Sequence, residues 1–234
     1  MSLPHTVDEV IARLRSIQAS LPIDDGVAVF NGMYLIITER MAARIGDLDT
    51  VTSPGDVTFA DPRTMSELDV RFANLWLAAF AADDTGSSVP AGWRPLFEAR
   101  GDKCLPIQFA IAGMNSHIEH DLPIAVVETC AALRLEPEDL HADYEAVNDV
   151  LAEVESSVRR SFLDDLGRAL DDRIGPVVHL LSTWKIDRAR DVAWITAETL
   201  WTLREAPLLH DRVLDGLGHT VGMGSRALLT PASG

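Results

Sequence analysis

The sequence predicts an all-α fold, a single-domain multi-helix bundle, on three observations. Apolar residues recur at helical spacing behind capping signals, and prolines stand where they suit the first turn of a helix. Strand signals are few: no Asn-Gly hairpin lies between alternating runs, and β-branched alternation is slight. Helices packed on helices are the layer solution for such a pattern.

The first helix is signalled by Thr6-Val7-Asp8-Glu9, a capping box, followed by Val10, Ile11, Leu14 and Ile17 and closed at Pro22. Asp24 and Asp25 precede an apolar-rich stretch, Val27 to Ile45, ended by Gly46. Its run Leu35-Ile36-Ile37 is strand-like in composition, but its length without a turn signal favours helix. Residues 47 to 63 read as irregular, with Pro54 and Pro62 among small polar residues. A helix from about Thr64, capped with Glu67, runs to about Ala82 on a stripe of Leu68, Phe72, Leu75, Trp76 and Ala79. Asp83 to Pro90 is a polar loop, and a short helix surrounds Leu96-Phe97-Glu98.

Pro106 opens a helix over Ile107 to Asp121, and Pro123 ends or kinks it, so two segments meet at an angle near Leu122-Pro123 before Leu133. Pro137-Glu138-Asp139-Leu140 opens a short turn. Tyr144 to about Phe162 is then a helix with Val147, Val150, Leu151 and Val154 inward. Leu163 to Ile174 reads as a short helix and Val177 to Trp184 as a further segment. A long helix follows from about Arg188 to Leu203, and a last one begins at Pro207, with a mobile tail expected at the C-terminus.

The chain has 234 residues, enough for one domain with a sizeable core. Acidic residues outnumber basic ones by 36 to 20, and the resulting charge of −16 disfavours nucleic acid as a partner. The longest nearly unbroken apolar run, Leu75 to Ala82, is too short to span a bilayer, so no membrane association is expected. Cys104 and Cys130 cannot form a disulfide framework, and the N-terminal MSLPHTVDEV has no apolar signal core. Both point to a cytoplasmic location.

Chemistry is concentrated in Phe109 to Pro123. The stretch is apolar enough for a core helix, yet it carries Asn115, His117, His120 and Asp121 in its last turns. His117 and Asp121 are four apart and share a helix face. Three readings compete. His117, Asp121 and His120 can ligate a divalent metal, with Glu39, Asp69 or His179 as further ligands. Alternatively, Asp121 sets the tautomer of His117, which acts as a general base or acid without metal, supported by Asn115. In the third reading, Asn115, His117 and Asp121 only tie the helix end to its neighbours. The doublet His120-Asp121 resembles that of HD-type metal phosphohydrolases, but between His5 and His117 the chain has no upstream histidine to complete such a site.

The run Ala112-Gly113-Met114-Asn115-Ser116-His117-Ile118, with Asp121-Leu122-Pro123 after two variable places, resembles an actinobacterial all-helical family of unknown function. That family carries an Asn-x-His-Ile-x-x-Asp-Leu-Pro motif and usually has alanine where Ser116 stands. Val147-Asn148, Val150-Leu151, Trp184, Arg188-Ala189-Arg190 and Ala193-Trp194 extend the resemblance over most of the chain. It implies Asn115, His117, Asp121, Asn148 and Arg190 as the polar positions that matter, and implies no reaction or cofactor.

On their own residues these further positions read modestly. A helical Asn148 among apolar neighbours bridges backbone or side-chain groups. Arg190 can lie near the Trp194 indole four residues on, or pair with Asp121 or Asp187, as a bridge between helices or as an anion clamp in a pocket. Tyr34 can project into the same interior. Trp194 and Trp201, seven apart, read as a core stripe. Gly216 to Gly224 lacks the lysine of a P-loop and follows no strand. Neither cysteine has a base beside it for thiol catalysis.

The expectation is a small-molecule enzyme with a His117/Asp121-centred pocket inside the bundle, working by metal-assisted hydrolysis or acid–base chemistry. The alternative is a non-catalytic helical protein that binds a ligand or partner and uses the polar cluster structurally. A homo-oligomer fits either.

Overall fold

A computed structural model describes residues 2–46, 59–168 and 185–230, with side chains between 153 and 168 left out of the description. The capped segments become helices. α1 (Val7–Ser20) starts at Thr6, whose hydroxyl accepts the Glu9 N–H. The Glu9 carboxylate reaches back one residue further than a capping box requires, to the N–H of His5. α2 (Gly26–Ile45) is capped by Asp25 and stopped at Gly46, which has a positive φ of 77°. α3 (Pro62–Asp84) starts earlier than the Thr64 box implies. Asp61 accepts from the N–H groups of Arg63 and Thr64, and Pro62 fits the first turn, so the stronger signal lay three residues upstream.

α4 (Arg94–Glu98) is the short helix expected around Leu96. α5 (Pro106–Ser116), a π-helical turn (His117–Asp121) and α6 (Leu122–Leu133) form one continuous rod. The expected bend at Leu122-Pro123 is replaced by this wider turn just before it. In a regular helix the Pro123 ring would press on the Glu119 carbonyl and leave it without a donor. Widening the turn relieves both, and the Leu122 N–H bonds back five residues to the His117 carbonyl.

α7 (Pro137–Arg168) is a single helix, which corrects the short turn and separate helices read there. Pro137 occupies its first turn, the Asp139 carboxylate accepts the Glu136 N–H, and nothing between Leu140 and Tyr144 breaks it. The rest of the Leu163–Ile174 segment, the stretch from Val177 to Trp184 and most of the irregular 47–63 segment lie outside the described residues. α8 (Ile186–Leu203) and α9 (Pro207–Leu228) complete the chain. The glycine-rich Gly216 to Gly224 is inside α9, not in a tail; residues 231–234 lie outside the description.

The elements pack as one all-helical domain around the α5–α6 rod. α2 and α9 lie against α5, α3 and α8 lie against α6, and α3, α8 and α9 all reach the π-turn. The core is aromatic near that turn: Phe30 is enclosed by Trp76 at 4.8 Å and Trp93 at 5.2 Å between ring centres. Close approach there depends on Gly113, where a Cβ would lie 2.2 Å from the Phe30 ring. Among the described residues no helix is long and apolar enough to cross a membrane.

Candidate functional site

The π-turn puts His117 and Asp121 side by side in the interior, each 1 % exposed. His117 Nδ1 lies 3.1 Å from Asp121 Oδ2, and the same oxygen accepts from Trp93 Nε1 at 2.9 Å. Oδ1 pairs with His120 Nδ1 at 2.7 Å. Burial alone pushes the Asp121 carboxyl up, but the hydrogen bonds from His117 and His120 outweigh it and hold the group below its ordinary value. An ionised carboxylate only accepts, so His117 carries its proton on Nδ1 and leaves Nε2 with a bare lone pair. Burial also lowers the His117 imidazole below its ordinary value, against the pull of Asp121, and so favours the neutral ring.

His117 lines a cavity of about 60 Å³. α2, α3, the α5–α6 rod, α7 and α8 supply its wall. Most of it is apolar: Ile37, Met41, Met65, Leu68, Phe72, Met114, Ile118, Leu122, Val147 and Leu151. Phe72 stacks on the imidazole with ring centres 3.6 Å apart and planes 7° apart, and Tyr34 meets it edge-on at 4.4 Å. The remaining wall residues are Tyr34, Asp69, His117 and Arg190.

Three of these four present buried atoms without a hydrogen-bond partner: Tyr34 Oη, Asp69 Oδ2 and His117 Nε2. A buried polar atom left unpaired costs about 1–3 kcal/mol, so three around one small space mark a place built for something other than packing. Burial raises the Asp69 carboxyl to about 7, which leaves it substantially protonated near neutrality and able to donate. Burial, with Asp69 nearby, also keeps the Tyr34 phenol well above its ordinary value; Thr38 donates to the Tyr34 carbonyl, and the Tyr34 hydroxyl stays unpaired.

Arg190, on α8, is 4 % exposed and anchored by neutral groups. Its Nε donates to Asn148 Oδ1 at 2.7 Å, Nη2 donates to the Tyr144 carbonyl, and the guanidinium lies 4.0 Å above the Tyr144 ring. Neither pairing read from the sequence occurs. The cation sits on Tyr144, not on Trp194, which lies between His141 and Tyr144 with its ring tilted to both; and no carboxylate of the described residues lies within salt-bridge distance. Asn148 positions Arg190 and is held by Glu145 at 3.1 Å.

The structure therefore brings His117, Asp121, Tyr34 and Arg190 to one place, with Asn148 behind Arg190. Asn115 points away, donating to Ser225 and the Val221 carbonyl and so fastening α5 to α9. His120 packs at Gly92 and Gly218, outside the cavity wall. The three metal candidates are thus neighbours, but both Asp121 oxygens are engaged by hydrogen bonds. Among the described residues no group of three or more His, Cys, Asp or Glu is placed to hold a metal ion. Glu39 is paired with Arg15 at 2.7 Å away from the cavity, and His179 lies outside the described residues. The sequence marks Asp69 only as a metal ligand and assigns Trp93 no polar partner. Their signals are weak: an aspartate on the apolar stripe of α3, and a tryptophan in a loop of mixed character.

A family model described as a family of unknown function (DUF5995) matches residues 7–231. No curated protein and no solved structure matches the chain.

Proposed function

The chain belongs to that family of unknown function, and from its own residues we propose that it is a metal-independent acid–base enzyme acting on a small, mainly apolar molecule. The observation that carries this reading is the bare, buried Nε2 of His117, backed by ionised Asp121, on a residue that lines a cavity together with two other residues carrying unpaired polar atoms. His117 Nε2 takes a proton from the bound molecule, and Asp121, held by Trp93, stabilises the imidazolium that forms. Asp69, protonated up to about pH 7, returns a proton at another point, and the Tyr34 hydroxyl hydrogen-bonds the oxygen on which charge develops. Two titratable groups with environments that push them in opposite senses are what acid and base partners require.

The mainly apolar wall lowers the local dielectric and strengthens each of these interactions. It also favours a second reading, a binding protein that holds an apolar ligand without turning it over. Short-chain oxo and hydroxy compounds incubated in D₂O and followed by proton NMR separate the two. Deuterium uptake or product formation that H117Q lacks is expected. Identical traces for wild type and H117Q overturn the catalytic reading.

A further inference from the structure

We propose that the molecule this cavity takes is a carboxylate, with Arg190 binding its anionic end. The inference rests on the acid–base reading only for which part of the molecule reacts. Arg190 is the one cation on the described wall, and it is buried with no carboxylate of the described residues within salt-bridge distance. A guanidinium withdrawn from water loses several kcal/mol of hydration, and neutral acceptors with a ring face replace only part of it. Asn148 and the Tyr144 carbonyl use Nε and one Nη2 donor; Nη1 makes no hydrogen bond among the described residues. The planar fork thus keeps donors in the geometry that a carboxylate accepts in a bidentate fashion.

A purely structural bridge between α7 and α8 needs neither a permanent charge nor a place on the cavity wall. Burial holds the guanidinium below its ordinary value, and the nearby carboxylates Glu145 and Asp191 oppose this only from a distance. The wall also carries Asp69, whose carboxyl burial raises to about 7, so below neutrality the cavity as a whole prefers a negative guest. The size fits a short aliphatic acid, whose chain would lie along Met41, Met65 and Leu151.

The test compares butyrate with its neutral isostere butyramide, binding to the 234-residue chain at pH 6.0, where Asp69 is largely protonated and butyrate is ionised, by titration calorimetry and ligand-observed NMR. Wild type should bind the acid at least about tenfold more tightly than the amide, a preference that R190K retains in part and R190Q abolishes. The wild-type comparison needs no variant, so it decides the matter even if R190Q does not fold. Equal affinity for acid and amide, binding of neither, or a preference that survives in R190Q overturns the proposal. A carboxylate preference abolished by R190Q together with turnover unaffected by H117Q keeps the anion site and removes the acid–base reading. The converse pattern removes the anion site alone.

Discussion

Trp93 donates its indole N–H to Asp121 Oδ2 at 2.9 Å, across 28 residues of sequence, and so fixes the carboxylate that orients His117. Both residues are fully buried, and the indole also packs 4.7 Å from Trp76. W93F keeps most of the ring volume and removes this donor. It should cost about 1–3 kcal/mol by urea denaturation, since a charged acceptor loses a hydrogen bond in the core. It should also raise the Asp121 carboxyl, moving the acid limb of any His117-dependent activity to higher pH. A variant with wild-type stability and an unmoved acid limb would show that the indole has no hold on the carboxylate.

Asp69 makes a sharper statement about pH. Burial raises its carboxyl from 3.8 to about 7 in the folded protein. A folded-state value above the unfolded one means that the native chain holds the proton more tightly. Stability from this group is therefore full below about pH 4, declines as pH rises, and levels off above about 7. The total is on the order of 4 kcal/mol. Denaturation of D69N and wild type across this range should show the variant gaining on wild type as pH rises. Parallel stability curves would mean that Asp69 is ionised in the fold at neutral pH.

Tyr34 separates stability from function. Its hydroxyl is buried and unpaired, so Y34F should leave stability unchanged or raise it by about 1 kcal/mol, while weakening turnover or ligand binding. Destabilisation of several kcal/mol, measured by thermal and urea unfolding, would reveal a hydroxyl partner.

Gly113 sets how closely α2 approaches the rod. In G113A the new Cβ would meet Phe30 at 2.2 Å, and that ring cannot retreat past Trp76 and Trp93. Overpacking of this kind should cost about 1–3 kcal/mol and shift the imidazole resonances of His117, whose ring centre lies 5.9 Å from Phe30. A variant as stable as wild type, with unmoved His117 resonances, would show that the ring has room to give.

Local chemistry explains what the sequence discloses. Thr6, Asp25, Pro106 and Pro207 mark helix starts because caps and first-turn prolines act within a few residues. The pairing of His117 with Asp121 is legible for the same reason, being four residues along one rod. The π-turn was visible only as an expected bend, because Pro123 announces a conflict with helical geometry but not how the backbone resolves it. The raised carboxyl of Asp69 depends on helices distant in sequence, α2, α7 and α8 among them, closing over it, and the Trp93 bond on a loop folding back onto the rod. The position of Arg190 over Tyr144, not Trp194, is likewise set by how α7 and α8 cross.

Nitrogen-15 NMR of the His117 imidazole addresses the tautomer most directly. At pH 7.5 the wild-type ring should carry its proton on Nδ1 and show an unprotonated Nε2, and D121N should lose that bias. A wild-type ring protonated on Nε2, or on both nitrogens, would contradict the claim that Asp121 leaves His117 with a bare Nε2.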